Sequence, residues 1–226
     1  MSAAIVHPIT AADTRATPVV SLKRRTIDSV LIGFGMVATV VFGVAGGLLT
    51  WGSNFSSDYV GDELSSQNIS FPSADALTQD GRTDLLSFAG ATVDTGDEAE
   101  AYASYINGHL EGIADGKTYA DLGALERAAQ ADVTAAVDAG QPQGTIDELQ
   151  AKADGITGQR NTLFKGETLR GLLLSAYAWS TVGAIAGYAA IGAFSAAAVM
   201  LVLVVLGVFH HRKTPRTVAF AHERPE

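Results

Sequence analysis

Cysteine is absent from the 226 residues, which removes disulfides, thiol nucleophiles, iron–sulfur clusters and cysteine-held zinc. It leaves the compartment open, because a chain without thiols is as much at home outside the cytoplasm as inside it. Histidine is scarce. The imidazoles are His7, His109, His210, His211 and His222, none inside a long apolar run, so a haem within a membrane would lack axial ligands, and Met36 and Met200 have no partner of the usual kind. Basic residues are also in short supply: 15 Lys and Arg against 24 Asp and Glu leave a net charge of −9, the wrong sign for nucleic acid. There is no phosphate loop, no dinucleotide glycine fingerprint and no nucleophile elbow; Gly33-Phe34-Gly35 is too short and lies in an apolar run. These absences leave no cofactor, metal or catalytic residue to assign, and an enzyme is not expected.

What is present is unevenly distributed. Residues 53–170 carry 20 acidic and 7 basic side chains, a net charge of −13, while two runs carry no charge at all. The first lies between Asp28 and Asp58. Its apolar part, 30–50, would make a helix of about 31 Å at about 1.5 Å per residue, the thickness of a bilayer core. The second run, 171–209, would be roughly 58 Å long as one helix, so part of it must lie outside the hydrocarbon. Its most apolar stretch is C-terminal, which places the span near 187–208 and leaves 170–186 as helix above the membrane with apolar surface in need of a protein partner. Trp51 and Tyr188 suit the outer ends of the spans.

Orientation follows from flanking cations. Lys23, Arg24 and Arg25 precede the first span, and Arg212, Lys213 and Arg216 follow the second, so both termini are expected in the cytoplasm and the spans in the plasma (inner) membrane. The expected fold is therefore an all-α membrane protein. Residues 1–28 form a cytoplasmic tail, 29–52 the first transmembrane helix and 53–168 a helical extracytoplasmic domain; 169–209 form a long helix that includes the second span, and 210–226 a second cytoplasmic tail. Two alternatives stand beside it: a hairpin turning near Gly183 or Gly187, giving three spans, and a signal peptide cleaved around 45–47.

Within the outer segment, 53–96 mixes Ser, Asn, Asp and Gly with short apolar groups and reads as ordered loop with one short strand pair. Beyond Gly96, the residues Tyr102, Tyr105, Ile106, His109, Leu110 and Ile113 fall on one helical face, with Asp97, Glu98 and Glu100 in the first turn and Gly116 as a stop. Thr118 with Asp121 resembles a capping box opening a second helix that runs toward Gly140. Thr145 with Glu148 repeats that signal for a third, and 166–168 lead into the long final helix.

Candidate sites are few. Small residues recur every four positions at Gly35, Thr39, Gly43 and Gly47 in the first span, and again at Gly183 and Gly187, then Ala189, Ala193 and Ala197. In lipid such faces allow close backbone approach, so they mark a helix-packing interface, either between the two spans or with a larger membrane partner. No ionisable group lies at membrane depth, as transport by this chain alone would require. Tyr102, Tyr105, His109 and Tyr119 form a possible outer-domain site, with His109 either a partly buried packing residue or a titratable switch. The acidic groups at Asp58, Asp62 and Glu63 and at Asp94, Asp97, Glu98 and Glu100 lack the alternating pattern of a calcium loop and read as solvated surface. Asn54 and Asn68 head formal glycosylation triplets, a pattern short enough to arise by chance.

The string FAGATVDTGDEAEAYASYINGHLEGIADGKTYADL at 88–122 resembles a family of small actinobacterial membrane proteins, and RNTLFKGETLRGLLLSAYAW at 160–179 continues the similarity, which with the spans covers most of the chain. The resemblance implies two spans and a helical outer domain. The name often attached to that family, aromatic ring-opening dioxygenase, does not suit this sequence, because such an enzyme holds iron with histidines and a carboxylate, and only His109 is expected outside. In size and topology the chain also resembles an accessory subunit of the actinobacterial respiratory supercomplex that joins cytochrome bcc to an aa3-type oxidase. That likeness implies a non-catalytic role, with larger integral-membrane oxidase subunits and membrane lipid as partners.

Overall fold

The computed structural model describes residues 24–213; Lys23, Arg216, His7 and His222, together with most of both expected tails, lie outside the described residues. Five helices account for most of the described chain: α1 (Arg24–Ser66), α2 (Ala74–Gln79), α3 (Gly96–Ile113), α4 (Tyr119–Asp138) and α5 (Gln143–Lys213), with a 3-10 turn at Thr83–Phe88 between α2 and α3. There is no strand among these residues. A single antiparallel bridge between Ser70 and Thr92 stands where a strand pair was expected.

Two of the helices, α1 and the 71-residue α5, are long and apolar enough to cross a membrane. Both overrun their expected limits. Helix α1 does not stop at 52 but continues to Ser66, because Ser53, Ser56, Val60 and Leu64 recur at helical spacing and are drawn into packing, with Val60 and Leu64 buried. Helix α5 does not begin at 169. It starts at Gln143, directly after Pro142, whose carbonyl accepts from the backbone N–H of Thr145 at 2.9 Å and of Ile146 at 3.3 Å. The ring of Pro142 presets a helix-compatible φ, so the helix begins ahead of the Thr145–Glu148 pair, and Thr145 lies inside the first turn instead of capping it. No turn interrupts α5 at 166–168, Gly183 or Gly187.

The chain divides into two units: residues to Gly43 with those from Ser195 onward, and Val44–Phe194. In the first unit, Gly35 faces Val204, Ile32 faces Gly207 and Arg25 meets His211. Partner numbers fall as α1 numbers rise, so the two helices run antiparallel.

The second unit holds the main core. Val60, Leu64, Phe71, Leu77, Leu85, Val93, Ala99, Ala103 and Leu173 form one buried cluster, joining the end of α1, the connecting loops, α2, the 3-10 turn, α3 and the middle of α5. Each fully buried Leu or Val contributes about 1.5–3 kcal/mol of apolar transfer. A smaller cluster of Leu110, Ala114, Leu122 and Leu163 ties α3 and α4 to α5. The loops between Ser66 and Gly96 are pinned by backbone bonds from Phe71 to Ala91 and from Val93 to Ile69, each 2.9 Å, which turn Phe71 and Val93 inward.

Helix α3 opens on a capping box. The Thr95 hydroxyl accepts from Glu98 N–H, and the Glu98 carboxylate accepts from Asp94 N–H, Thr95 N–H and the Thr95 hydroxyl. Burial works against the charged form of Glu98, but these donors outweigh it and hold the group below its ordinary pKa; its charge in turn raises that of Asp94. Thr118 and Asp121 make the second box, at the start of α4. Gly116, at φ +75°, and Gly140, at φ +62°, occupy the left-handed backbone region after α3 and α4, where any side chain is disfavoured.

Candidate interaction surface

The packing of α1 on α5 is set by small residues. In the second unit the ring of Phe194 lies over Gly46, where an added Cβ would come within 2.9 Å, and Ser53 and Ser56 sit on Gly187 and Gly183 at 3.0 and 2.8 Å from the corresponding positions. Ser56 is buried, and its hydroxyl donates to the Trp179 carbonyl at 2.6 Å, an α5 acceptor that would otherwise bond only within its own helix. Across this seam the two backbones approach as closely as the small side chains permit.

The expected interface residues divide accordingly. Gly183 and Gly187 are in the seam. So is Gly35 in the first unit, where a Cβ would meet Val204 at 2.6 Å, and Thr39 lies one turn on with its hydroxyl donating to Gly35 O at 2.8 Å. Gly43 and Gly47 have nothing within 4 Å of a built Cβ; Gly46 occupies the place expected of Gly47. On α5, Ala193 and Ala197 are half-buried but Ala189 is exposed, and Ala190 is the buried neighbour. The reason is helical phase. A strict four-residue repeat turns about 40° further at each step of a 3.6-residue helix, so it leaves any fixed contact line within a few turns, whereas a seam alternates steps of three and four.

Beside this seam the second unit leaves large apolar groups uncovered. Trp51, Phe55 and Tyr59 stack along α1, with centroid separations of 5.7 and 6.1 Å. They are 67%, 57% and 53% exposed. On α5, Leu172 is 65% and Trp179 56% exposed. A groove of about 340 Å³ runs between the helices, lined by Tyr59, Leu64, Ile69, Leu169, Leu172 and Trp179. Contiguous apolar surface of this kind marks an interaction site on a protein or membrane surface. Sequence reading expected apolar surface on 170–186, where Leu172 and Trp179 lie exposed, but it missed the α1 side of the groove because 53–66 read as loop.

Of the four residues expected to form an outer-domain site, three come together. Tyr102 packs on Phe71 and Tyr105, and the Tyr105 and His109 rings meet edge-on at 4.5 Å. Tyr105 donates its hydroxyl to the Asp80 carboxylate at 3.1 Å; burial and then that bond push the phenol pKa up. His109 is exposed, not partly buried. Its Nδ1 lies 3.2 Å from Tyr105 O and its Nε2 3.8 Å from Asp80. Arg82 closes the rim, paired with Asp84 and donating to Ser104 O at 2.7 Å, so that the Asp84 carboxyl is held below its ordinary pKa. A shallow pocket of about 280 Å³ results, formed with Gly108 and Gly112.

Tyr119 belongs elsewhere: Arg160 stacks 4.2 Å over its ring and Phe164 packs beside it. Arg160 also pairs with Glu126 at 2.6 Å, and Thr157 donates to the same carboxylate at 2.6 Å. The Thr157 hydroxyl first, and then Arg160, hold Glu126 below its ordinary pKa. The guanidinium lies over Gly123, at ordinary contact distance, 3.4 Å, from where a Cβ would stand. This polar clasp between α4 and α5 had no sequence signal beyond its charges. Among the described residues, no three His, Asp or Glu side chains are grouped to hold a metal ion.

Comparison with protein-family models, with characterised proteins and with solved structures gives no match for this chain.

Proposed function

We propose that this protein is a non-catalytic accessory subunit of a larger integral-membrane complex, anchored by α1 and α5 with both termini in the cytoplasm and residues 53–168 outside. The observation that carries the reading is the uncovered apolar surface of the second unit: the Trp51–Phe55–Tyr59 stack and the groove bordered by Leu172 and Trp179, on the same two helices that are apolar enough to enter a bilayer. Aromatic anchors beside a groove are what a partner subunit seats upon. The specific partner we propose is the respiratory supercomplex of cytochrome bcc and an aa3-type oxidase, on the likeness of size and topology. Affinity purification in mild detergent followed by mass spectrometry tests both levels. Oxidase subunits should accompany the wild-type chain, and Trp179→Ala combined with Leu172→Ser should lose them while retaining helicity. A chain that migrates alone sinks the accessory reading; one accompanied by other membrane subunits sinks only the supercomplex.

A second reading, an envelope sensor or binding module, is supported by the exposed His109 beside Asp80, Tyr105 and Arg82. Tyr119 plays no part in it. His109→Ala should then change a pH or ligand response with complex assembly intact, and an assembly defect alone would count against it.

A further inference from the structure

The first unit carries a groove of about 540 Å³ along the flank of the α1–α5 seam, lined by Leu31, Phe34, Leu203 and Leu206 and reaching Asp28 at one end. That end is also where basic side chains gather: Arg25 on α1, and His210, His211, Arg212 and Lys213 in the last turn of α5. Two buried polar atoms there have no hydrogen-bond partner. One is Asp28 Oδ2, an acceptor. The other is His211 Nδ1, whose role follows from its neighbour: Arg25 Nε can only donate, and it donates to His211 Nε2 at 3.2 Å, so a neutral ring carries its proton on Nδ1. An unmet acceptor and an unmet donor thus stand among cations at the end of an apolar groove. Buried polar groups are seldom left unpaired, and each such exception calls for an account.

We infer that this groove holds one acyl chain of an anionic phospholipid of the bilayer, with the phosphate among Arg25, Arg212 and Lys213 and a headgroup hydroxyl donating to Asp28. The inference rests on the membrane reading above. The charge is complementary, since a juxtamembrane cluster of Lys and Arg attracts anionic lipid. Asp28 narrows the choice: a carboxylate repels a bare phosphate monoester but accepts from a glycerol hydroxyl, so the fitting headgroup is of the phosphatidylglycerol type. A phosphatidylcholine headgroup has no donor to offer.

The test uses the full chain in nanodiscs of phosphatidylcholine containing a minor fraction of phosphatidylglycerol, with retained lipid counted by native mass spectrometry after release into detergent. Wild type should retain one phosphatidylglycerol per chain, enriched at least tenfold over its share of the bilayer. Arg212→Ala with Lys213→Ala should cut that enrichment at least fivefold. Leu31→Trp, which fills the groove from an exposed position, should cut it similarly, and Leu206→Trp provides a second filling variant with circular dichroism as the check on folding. In nanodiscs that carry phosphatidic acid and phosphatidylglycerol in equal minor fractions, wild type should prefer phosphatidylglycerol and Asp28→Ala should abolish that preference. Equal retention of phosphatidylcholine, indifference to the filling variants, or a protein helix retained in place of lipid each overturns the proposal. A chain that enters nanodiscs without lipid preference removes this inference alone; one that never enters them removes the membrane reading as well.

Discussion

Placing alanine at Gly183 brings the new methyl to 2.8 Å from Ser56 Cβ and 3.0 Å from its hydroxyl oxygen. Carbon atoms pack best at about 3.5–4.0 Å, so α1 and α5 must separate or Ser56 must turn. Overpacking of this kind costs about 1–3 kcal/mol. Displacing Ser56 also sacrifices its bond to the Trp179 carbonyl, worth about 1 kcal/mol. Against these stands the gain of about 1 kcal/mol that alanine has over glycine inside a helix. The net expectation is destabilisation by about 1–3 kcal/mol. Gly158→Ala is the control: it lies on the same helix, with nothing within 4 Å of its built Cβ, so only the propensity gain of about 1 kcal/mol applies. One chemical change, made at two positions of α5, should therefore act with opposite signs. At about 2–4 °C per kcal/mol for a chain of this length, thermal unfolding in detergent should separate the two variants by about 4–16 °C. Ser56→Gly in the Gly183→Ala background should recover part of the loss, a coupling of at least about 0.5 kcal/mol between touching residues. A Gly183→Ala protein that melts with or above wild type would refute the seam.

Other expectations follow from the second unit. Leu77 is fully buried, so Leu77→Ala should cost about 2–5 kcal/mol, read as a lowered unfolding midpoint with the native helix content kept. Thr118→Ala removes one half of the capping box of α4 and should cost about 0.5–2 kcal/mol; equal stability in thermal melts would mean that the box contributes nothing. Acid should destabilise the fold through Glu98, Asp121 and Glu126, whose pKa values are all lowered in the folded state. Groups of this sign stabilise above their unfolded values, near 4, and that stability is lost as pH falls through the folded values. Melting temperature should thus hold between pH 7 and pH 5 and drop below about pH 4, with the drop reduced in Glu126→Gln.

Much of this architecture can be read from the chain because the signals are local. Thr118 with Asp121 names the start of α4, Gly116 and Gly140 name the ends of α3 and α4, and an uncharged run long enough for a bilayer names itself. Two of the errors share one cause. Ser, Gly and Asp compete with helix formation in isolation, so 53–66 reads as loop, yet Val60 and Leu64 gain more by burial than those residues lose. Likewise Gly166 reads as a break, whereas in the fold it is where Leu110 of α3 comes down onto α5. The cluster around His109 was half legible: Tyr102, Tyr105 and His109 share a helix face, but Asp80 and Arg82 reach them only through the loops, and Tyr119 leaves for Arg160. Sequence spacing reports which residues share a face; it carries no information on what lies opposite.

The unbroken course of α5 makes the protein sensitive to counting. Leu163 meets Leu110 and Leu122, Leu173 enters the main core and Gly183 receives Ser56, all from one helix with no loop between them to absorb a change of length. Inserting one residue between Leu163 and Leu173 would swing everything beyond it by about 100° and expose Leu173, whereas inserting seven would restore the direction of the downstream face to within about 20° but carry it about 10 Å along the axis, past its partners in the core and Ser56. A functioning variant with a longer α5 should therefore carry a matching insertion in the elements packed against it, so that chain length itself is under a rule of phase and rise that no single side chain reveals.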